Sequence, residues 1–298
     1  MTAPLPRLHL VDGTYELFRA HYSKRPPHAG PGGEDLKATV GLASSLLALL
    51  QDDGEAVTHV AVAFDNPIRS FRNDLFAGYK SDEGVPPELH AQFDLAEEAV
   101  RALGVTAWSM KAFEADDALA TAAARFRAEC EQVRILSPDK DLHQCVVGQN
   151  VVQVDRVRET LIDEAAVVAR KGVQPRSIPD LLALVGDEAD GIPGLSGFGE
   201  KGAAAVLARW GTLESIPADV EAWDVKVRGA EGLCATLNAH REDALLYKRL
   251  ATLRTDAPVT ETLEALRWNG VPREAFEAFC NRVGATTLRT RPRRWAKG

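Results

Sequence analysis

The loop at residues 186–202 carries the most chemical information in the chain and reads G-D-E-A-D-G-I-P-G-L-S-G-F-G-E-K-G. Asp187 and Asp190 are three residues apart, a spacing that places two carboxylates on one face of a helical turn, where they can share a cation. Four glycines recur at intervals of two or three residues: Gly194, Gly197, Gly199 and Gly202. They allow backbone N–H groups to approach a phosphate at the start of the helix that follows. A cation site beside a phosphate-binding loop indicates phosphodiester chemistry on nucleic acid.

Other acidic residues follow the predicted strands at the points where those strands end. They are Asp12 after L-H-L-V, Asp65 after V-A-V-A-F, and Asp139 and Asp141 after R-I-L. In open parallel sheets the ligand site lies outside the carboxyl ends of the strands. We therefore expect these four side chains to meet at one edge of the sheet.

The E-A-D-D cluster adds three more acids, Glu114, Asp116 and Asp117, just before or within the start of a predicted helix. Asp116 or Asp117 alone could be no more than a helix cap. Nine carboxylates converging from separate segments, however, could not all stay ionised without cations. Magnesium and manganese are the hard ions that prefer such oxygen ligands. The set predicts two divalent ions about 4 Å apart that activate a water and stabilise the leaving oxygen.

The elements that position these residues change character along the chain. Up to about residue 170 short apolar runs alternate with helical patterns, as a parallel α/β sheet requires, and beyond residue 172 helices dominate. The predicted strands are Leu8–Val11, His59–Phe64, Arg134–Leu136 and Val151–Val154. The predicted helices are Leu36–Leu50, Pro87–Leu103, Ala115–Glu129, Ile178–Val185, Ala203–Trp210, Leu233–Leu250 and Pro272–Val283. We place the boundary near Lys171–Gly172.

Composition is that of an ordinary globular chain of 298 residues with a net charge of −8. The four cysteines show no metal-ligand spacing, and the N-terminus lacks a long apolar segment, so we expect a cytoplasmic protein without a membrane span. Five cations crowd the last ten residues: Arg289, Arg291, Arg293, Arg294 and Lys297. This basic tail could be a disordered, solubilising segment or a DNA contact, and composition leaves both alternatives open.

The motifs together resemble those of the bacterial 5′→3′ exonuclease and flap endonuclease family, best known as the N-terminal nuclease domain of DNA polymerase I. They occur in family order: L-V-D-G-T, V-A-F-D, F-R-N-D-L-F-A-G-Y-K-S, E-A-D-D, D-K-D and then the glycine-rich loop. The resemblance implies a PIN-like α/β nuclease core with a mostly parallel central sheet over residues 1–171, including a helical arch at about 69–103. It also implies a helical DNA-binding subdomain over 172–298, with a helix-hairpin-helix (H2TH-type) element at the glycine-rich hairpin and the basic tail.

The resemblance assigns roles to individual residues. The nine acids match the family's metal-binding acids. Lys80, Arg72 and Arg19 match basic residues expected to act in catalysis near the scissile phosphate. The DNA-binding set is Arg69, Tyr79, Gly194, Gly197, Gly199, Lys201 and Gly202. For Tyr79 two alternatives stay open, stacking on a base or packing in the core. The resemblance also implies a potassium ion held by backbone carbonyls of the Gly194–Gly199 hairpin.

These assignments predict a structure-specific, metal-dependent nuclease that acts on DNA with 5′ ends, flaps or nicks during replication and repair. The sequence contains no polymerase or proofreading segment, so we expect a stand-alone nuclease. We also expect a monomer. The alternatives are a PIN-type ribonuclease and a catalytically inactive DNA-junction-binding protein. In one departure from the family pattern, Asp82 and Glu83 replace a basic stretch of the arch, which would weaken its contacts with DNA.

Overall fold

The computed structural model describes residues 5–297, which form two compact units. The first unit contains residues 5–70, 82–137 and 255–297, and the second contains residues 71–81 and 138–254. The chain therefore leaves the first unit twice and returns to it twice. None of the helices within residues 5–297 has the length and apolar character that a membrane span requires.

Four parallel strands form the sheet of the first unit. They are β1 (Arg7–Asp12), β2 (His59–Asp65), β3 (Thr106–Met110) and β4 (Gln132–Leu136). Their order is β3-β2-β1-β4, with Leu10 of β1 opposite Ala61 on one side and Ile135 on the other. β1 and β2 are buried almost throughout, as expected for Val-, Leu- and Ala-rich strands in a parallel sheet with both faces covered. Three of these strands confirm the sequence-based expectation, and β3 has no counterpart among the predicted strands.

The second unit contains an antiparallel pair, β5 (Val151–Asp155) and β6 (Thr160–Ile162). In chain order the α-helices of the described residues are α1 (Gly13–Tyr22), α2 (Lys37–Leu50), α3 (Phe71–Leu75), α4 (Pro87–His90), α5 (Phe93–Ala102), α6 (Ala115–Phe126), α7 (Glu164–Lys171), α8 (Ile178–Val185), α9 (Glu200–Trp210), α10 (Ala230–Ala239), α11 (Arg241–Ala251), α12 (Arg273–Arg282) and α13 (Thr286–Arg289). Short 3-10 helices occur at Arg127–Glu129, Lys140–Cys145, Pro175–Ser177, Leu213–Ser215, Val220–Ala222 and Glu264–Leu266.

Two of the predicted helices are each divided into two. The predicted helix Pro87–Leu103 is α4 and α5, and at the break the side-chain oxygen of buried Gln92 accepts hydrogen bonds from the backbone N–H and hydroxyl of Thr39 on α2. The predicted helix Leu233–Leu250 is α10 and α11, separated by His240 at φ −123° and ψ 28°, outside the helical region. Neither break contains proline or glycine, so periodicity could not reveal it. The other predicted helices are confirmed to within three residues at each end.

Helix α8 positions the acidic loop of the second unit. It lies in the hydrophobic core of that unit, packs against α11, and ends at Val185. Gly186 then adopts a positive φ of 90°, and a Cβ at this position would lie 2.8 Å from the carbonyl oxygen of Pro193. Only glycine fits this close approach without displacing the backbone. The turn therefore places Asp187 directly at the end of a buried helix.

Candidate active site

Three carboxylates of the second unit lie close enough to bind one ion. One oxygen from each of Asp141, Asp187 and Asp190 lies within 4.8 Å of the other two. Asp141 comes from the 3-10 helix Lys140–Cys145, whereas the other two come from the loop after α8. In the part of the chain that the structure describes, these residues form the one such group of three.

Asp187 and Asp190 are brought together by a tight turn and not by a helical turn, which corrects the expectation from their spacing. The backbone N–H of Asp187 donates to the carbonyl of Ile192 at 2.7 Å, and the N–H of Ile192 donates back at 2.8 Å. This pair of hydrogen bonds closes the turn. The helix that follows the glycine-rich stretch, α9, begins only at Glu200. Carboxylate oxygens of the two residues nevertheless lie within 4.8 Å of each other, and the binding of a shared cation stays a prediction.

The environment of Asp141 favours a bound cation. This residue is 5 % exposed, and its Oδ1 atom is buried without a hydrogen-bond donor. Burial, and then the charges of Asp139, Asp190 and Asp187, raises the pKa of the Asp141 carboxyl well above its usual range. A buried carboxylate oxygen that lacks a donor is costly unless a cation or proton satisfies it. The carboxylate oxygens of this cluster are therefore suitable ligands for a hard divalent ion such as Mg²⁺ or Mn²⁺.

Two lysines partly neutralise this acidic cluster. The Lys80 ammonium lies 3.0 Å from Asp190 Oδ1, and the backbone N–H of Lys80 donates to the carbonyl of Asp190 at 3.1 Å. Lys140 donates to Asp187 Oδ2. Lys140 was not among the predicted site residues, although its position between Asp139 and Asp141 in D-K-D was a signal for it.

Asp139 has a structural role in the same 3-10 helix. It is the N-cap residue, and its Oδ1 accepts a hydrogen bond from the backbone N–H of Asp141 at 2.9 Å. The side-chain amide of Gln153 donates to the Asp139 carbonyl at 2.6 Å. These bonds fix the short segment that presents Asp141. Whether Asp139 also binds metal stays a prediction.

In the first unit, Asp12 and Asp65 lie at the same edge of the sheet. Each is the last residue of its strand, and β1 and β2 are parallel neighbours with Asp12 opposite Ala63. Asp12 caps α1 by accepting from the Tyr15 N–H, and its other oxygen accepts from the Ser137 hydroxyl, both at 2.8 Å. The strand-end rule thus places these two acids correctly.

The E-A-D-D segment is tied to that same edge. Asp65 Oδ1 accepts a hydrogen bond from the Ala115 N–H at 2.8 Å, which fixes the first turn of α6 against the end of β2. Glu114 and Asp117 form a reciprocal capping box at the start of α6, and Asp117 is fully buried. Asp117 therefore does act as a cap. Asp116 lies half-buried in the same first turn.

The predicted catalytic arginines make contacts within the protein. Arg72 is 1 % exposed and donates from Nε to the Leu250 carbonyl at 2.7 Å and from Nη2 to the Thr252 carbonyl at 3.0 Å. It thereby binds carbonyl groups at the C-terminal end of α11, where a cation is favoured. Arg19 bonds to the Glu16 carboxylate and to the Ser45 hydroxyl. Any contact of either arginine with a phosphate stays a prediction.

The predicted DNA-binding side chains differ in exposure. Tyr79 is 5 % exposed, packs in the hydrophobic core of the second unit, and donates its hydroxyl to Asp190 Oδ2 at 3.4 Å. Its burial favours packing over base stacking, the two alternatives that the sequence left open. Arg69 and Lys201 are exposed.

The four glycines of the hairpin serve different purposes. Gly194 has a φ of +70°, and a Cβ there would lie 2.4 Å from the backbone nitrogen of Gly186, so its absence of a side chain is required for packing. Gly197 also has a positive φ, of 88°. Gly199 is the N-cap residue of α9 and has a negative φ, and a Cβ there would meet no atom within 4 Å. Open space at Gly199 is compatible with a ligand approaching the backbone, whereas Gly202 lies in the first turn of α9 with Leu233 beside it.

The sequence matches two protein-family models that are adjacent along the chain. Residues 7–172 match the model described as 5′-3′ exonuclease, N-terminal resolvase-like domain. Residues 173–274 match the model described as 5′-3′ exonuclease, C-terminal SAM fold. The predicted fold class, a PIN-like α/β core with a mostly parallel sheet followed by a helical region, is thereby confirmed.

Known proteins resemble the chain in sequence and in structure. DNA polymerase I of Bacillus caldotenax is 36 % identical over 282 residues, which cover 93 % of this chain and 31 % of that protein. The chain thus spans about a third of the length of the curated relatives it matches.

Two solved structures share the fold at low sequence identity. The bacteriophage T5 D15 protein co-crystallized with metal ions has a TM-score of 0.65 and 18 % identity, covering 95 % of this chain and 99 % of that one. The catalytic core of Rad2 in complex with DNA substrate has a TM-score of 0.61 and 13 % identity, covering 95 % and 91 %.

Proposed function

Because the chain belongs to the 5′-3′ exonuclease family, we propose that it is a divalent-metal-dependent nuclease that hydrolyses DNA phosphodiesters at 5′ ends and 5′ flaps. Its substrates would be DNA with 5′ ends, flaps or nicks that arise in replication and repair. The observation on which the proposal rests is the cluster of Asp141, Asp187 and Asp190, with oxygens within 4.8 Å of one another and one buried oxygen lacking a donor.

In this proposal the three carboxylates hold one divalent ion. The ion, Mg²⁺ or Mn²⁺, supplies an activated water and neutralises charge on the scissile phosphate when bound. Asp141 Oδ1 would be a ligand, because no other group of the described protein satisfies it. The hydrogen bonds of the 187–192 turn hold the other two carboxylates in place before the ion arrives. Such preorganisation removes the cost of reorganising the site during the reaction.

Lys80 is the proposed cation that stabilises the transition state. Its side chain is 28 % exposed while its ammonium contacts Asp190, so it lies at the border between the acidic cluster and solvent. The Asn73 amide donates to the Lys80 carbonyl at 2.8 Å, and the Lys80 N–H donates to Asp190, so the backbone on which the lysine is mounted is fixed. A fixed ammonium would stabilise the negative charge that develops as the phosphodiester is cleaved. Arg72 and Arg19 are proposed to support catalysis less directly.

We assign a second divalent ion to the remaining acids. Asp12 and Asp65 lie at one sheet edge, with the start of α6 hydrogen-bonded to it. The proposed ligands are completed from Glu114, Asp116 and Asp117 of the same unit, and Asp139 stays a predicted metal-binding acid of the second unit. Because Asp117 and Asp139 already cap helices, they are better suited to orienting other groups than to direct ligation.

The remaining sequence-based assignments form part of the same proposal. The nuclease core would comprise residues 1–171, with an arch at about 69–103, and the DNA-binding subdomain residues 172–298. The hairpin at Gly194–Gly202 would bind DNA phosphates through backbone N–H groups and Lys201, with a potassium ion at its carbonyls. The protein would act as a cytoplasmic monomer.

The test is cleavage of end-labelled substrates by the purified protein. The substrates are 5′-flap, nicked and single-stranded DNA together with matched RNA strands, in Mg²⁺, in Mn²⁺ and in a chelator. Metal-dependent cleavage at the flap or 5′ end of DNA is the expected result. Preferential cleavage of RNA would indicate a PIN-type ribonuclease, and binding without cleavage in either metal would indicate an inactive junction-binding protein.

A further inference from the structure

A groove of about 240 Å³ on the first unit has three cationic side chains in a lining that is otherwise neutral. Its walls come from the loop after α1, from the first half of α2, and from α13 with the residues that follow it. Arg25, Lys37 and Arg291 line it, and no acidic side chain is among the described residues that do so. The chain as a whole has a net charge of −8, so the positive charge of the groove is opposite in sign to that of the whole chain.

Two of the three cations of the groove, Lys37 and Arg291, are held in place by neutral partners. Arg291 Nη1 donates to the Ser44 hydroxyl at 2.5 Å. Lys37 Nζ donates to two main-chain carbonyls at 2.7 and 2.8 Å, which leaves one of its three N–H groups for a ligand. The loop itself is fixed by a 2.7 Å hydrogen bond between His28 Nε2 and the Val283 carbonyl. The positive charges of Lys37 and Arg291 are thus ordered without being neutralised by these bonds.

Mutual repulsion among the arginines also indicates that positive charge in the groove is not fully neutralised. Partial burial, and then the charges of Arg19 and Arg291, lowers the pKa of the Arg25 guanidinium. Glu16, the carboxylate that acts on Arg25 in the opposite direction, is already bonded to Arg19. An anion in the groove would relieve this repulsion.

We propose that the groove binds a phosphodiester group of a nucleic-acid strand through Arg25, Lys37 and Arg291. Its volume is below the range of about 300–1,000 Å³ typical of pockets for organic ligands, and it suits a phosphate with its flanking sugar. Pro26 and Pro27 supply a rigid, apolar rim on which a sugar can pack. This inference rests on the proposed function, which brings nucleic acid to the chain, and it makes the basic tail a part of the binding surface through Arg291.

The experiment compares the salt dependence of DNA binding for the full chain and for the double variant Arg25→Gln/Arg291→Gln. Anisotropy of a fluorescent 5′-flap duplex is measured over a salt series in chelator, so that no cleavage occurs. We expect weaker binding and a plot of log affinity against log salt whose slope is flatter by about 0.9, because one phosphate contact is lost. The variant Arg25→Lys/Arg291→Lys keeps the charges and should retain most of the slope, which separates charge loss from misfolding.

The matched control is Arg127→Gln/Arg158→Gln, which removes two exposed arginines elsewhere in the chain. An unchanged slope in the groove variant, or an equal flattening in the control, would overturn the proposal. So would tighter binding of inorganic phosphate than of the duplex, because the groove would then be a site for free phosphate. Binding in chelator is independent of cleavage. An inactive wild type that still shows the expected slopes would therefore contradict the proposed function and not the groove.

Discussion

Replacing Asp141 with asparagine tests the candidate metal centre most directly. At 4.8 Å, the upper limit of their separations, and an effective dielectric constant near 20, each ionised pair of carboxylates repels by at least about 3.5 kcal/mol, which Lys80 and Lys140 offset in part. Asp141→Asn removes that repulsion but buries an amide, whose lack of partners costs about 1–3 kcal/mol. The two effects oppose each other. We therefore expect the metal-free variant to fold, with an unfolding free energy within about 2 kcal/mol of wild type.

The same variant should lose its response to metal. A divalent ion at 100 times its Kd stabilises the native state by about 2.7 kcal/mol, which for a chain of 298 residues corresponds to a rise in Tm of about 4 °C. We expect this rise for the wild type in Mg²⁺ or Mn²⁺, little or none for Asp141→Asn, and the wild-type response for Glu221→Gln, which removes an exposed carboxylate of the same unit.

Activity completes this test. Cleavage of a 5′ flap by Asp141→Asn should fall by orders of magnitude, with flap affinity in chelator changed only a few-fold. Single-turnover cleavage and thermal unfolding, measured on the same preparations, supply both readouts. Near-normal turnover in Mg²⁺ would refute the assignment of Asp141 as a ligand.

Three further variants test separate parts of the proposal. Lys80→Ala should lower kcat for a 5′ flap more than it raises KM. The apparent Kd for Mg²⁺ should stay equal or decrease, because Asp190 loses the ammonium that competes with the metal. A wild-type kcat would contradict the role assigned to Lys80. Gly199→Val should weaken duplex binding irrespective of sequence. Because Gly199 is the N-cap residue of α9 and valine caps poorly, a small decrease in Tm is expected, and sequence-selective loss of binding would argue against backbone contacts. Burial lowers the pKa of His9, so the folded state binds fewer protons than the unfolded state as the pH falls. The contribution of His9 to stability should be full above about pH 6.5 and decrease at lower pH. Chemical denaturation should show that the free energy of unfolding depends less on pH in His9→Gln than in the wild type.

The local chemistry of the site could be predicted from the sequence because it depends on residues close together in the chain. The acids that end β1 and β2 follow from short apolar runs. The proximity of Asp187 and Asp190 follows from their spacing, although the turn that carries them is a tight turn and not the expected helical turn. The helix breaks at Gln92 and His240 could not be predicted, because they depend on tertiary contacts that leave no proline or glycine signal.

The roles of buried polar residues likewise required the structure. Arg72 and Tyr79 look like ligand-binding residues when only their types and motif positions are known. In the folded chain one binds the carbonyls of Leu250 and Thr252, and the other packs in a core. A residue type states which bonds a side chain can form, whereas the neighbours that use those bonds come from distant parts of the chain.

The sequence by itself determined the chemical inventory: the acidic residues, their order along the chain, the parallel α/β pattern and the glycine-rich loop. Tertiary structure decided which of the acids lie close enough to bind one ion, since Asp141 meets Asp187 and Asp190 only after more than forty intervening residues have folded. It also decided that Arg25, Lys37 and Arg291, which span most of the chain, line one groove. The physical reason is that periodicity and spacing report local geometry, while charge clustering depends on long-range packing that local patterns do not encode.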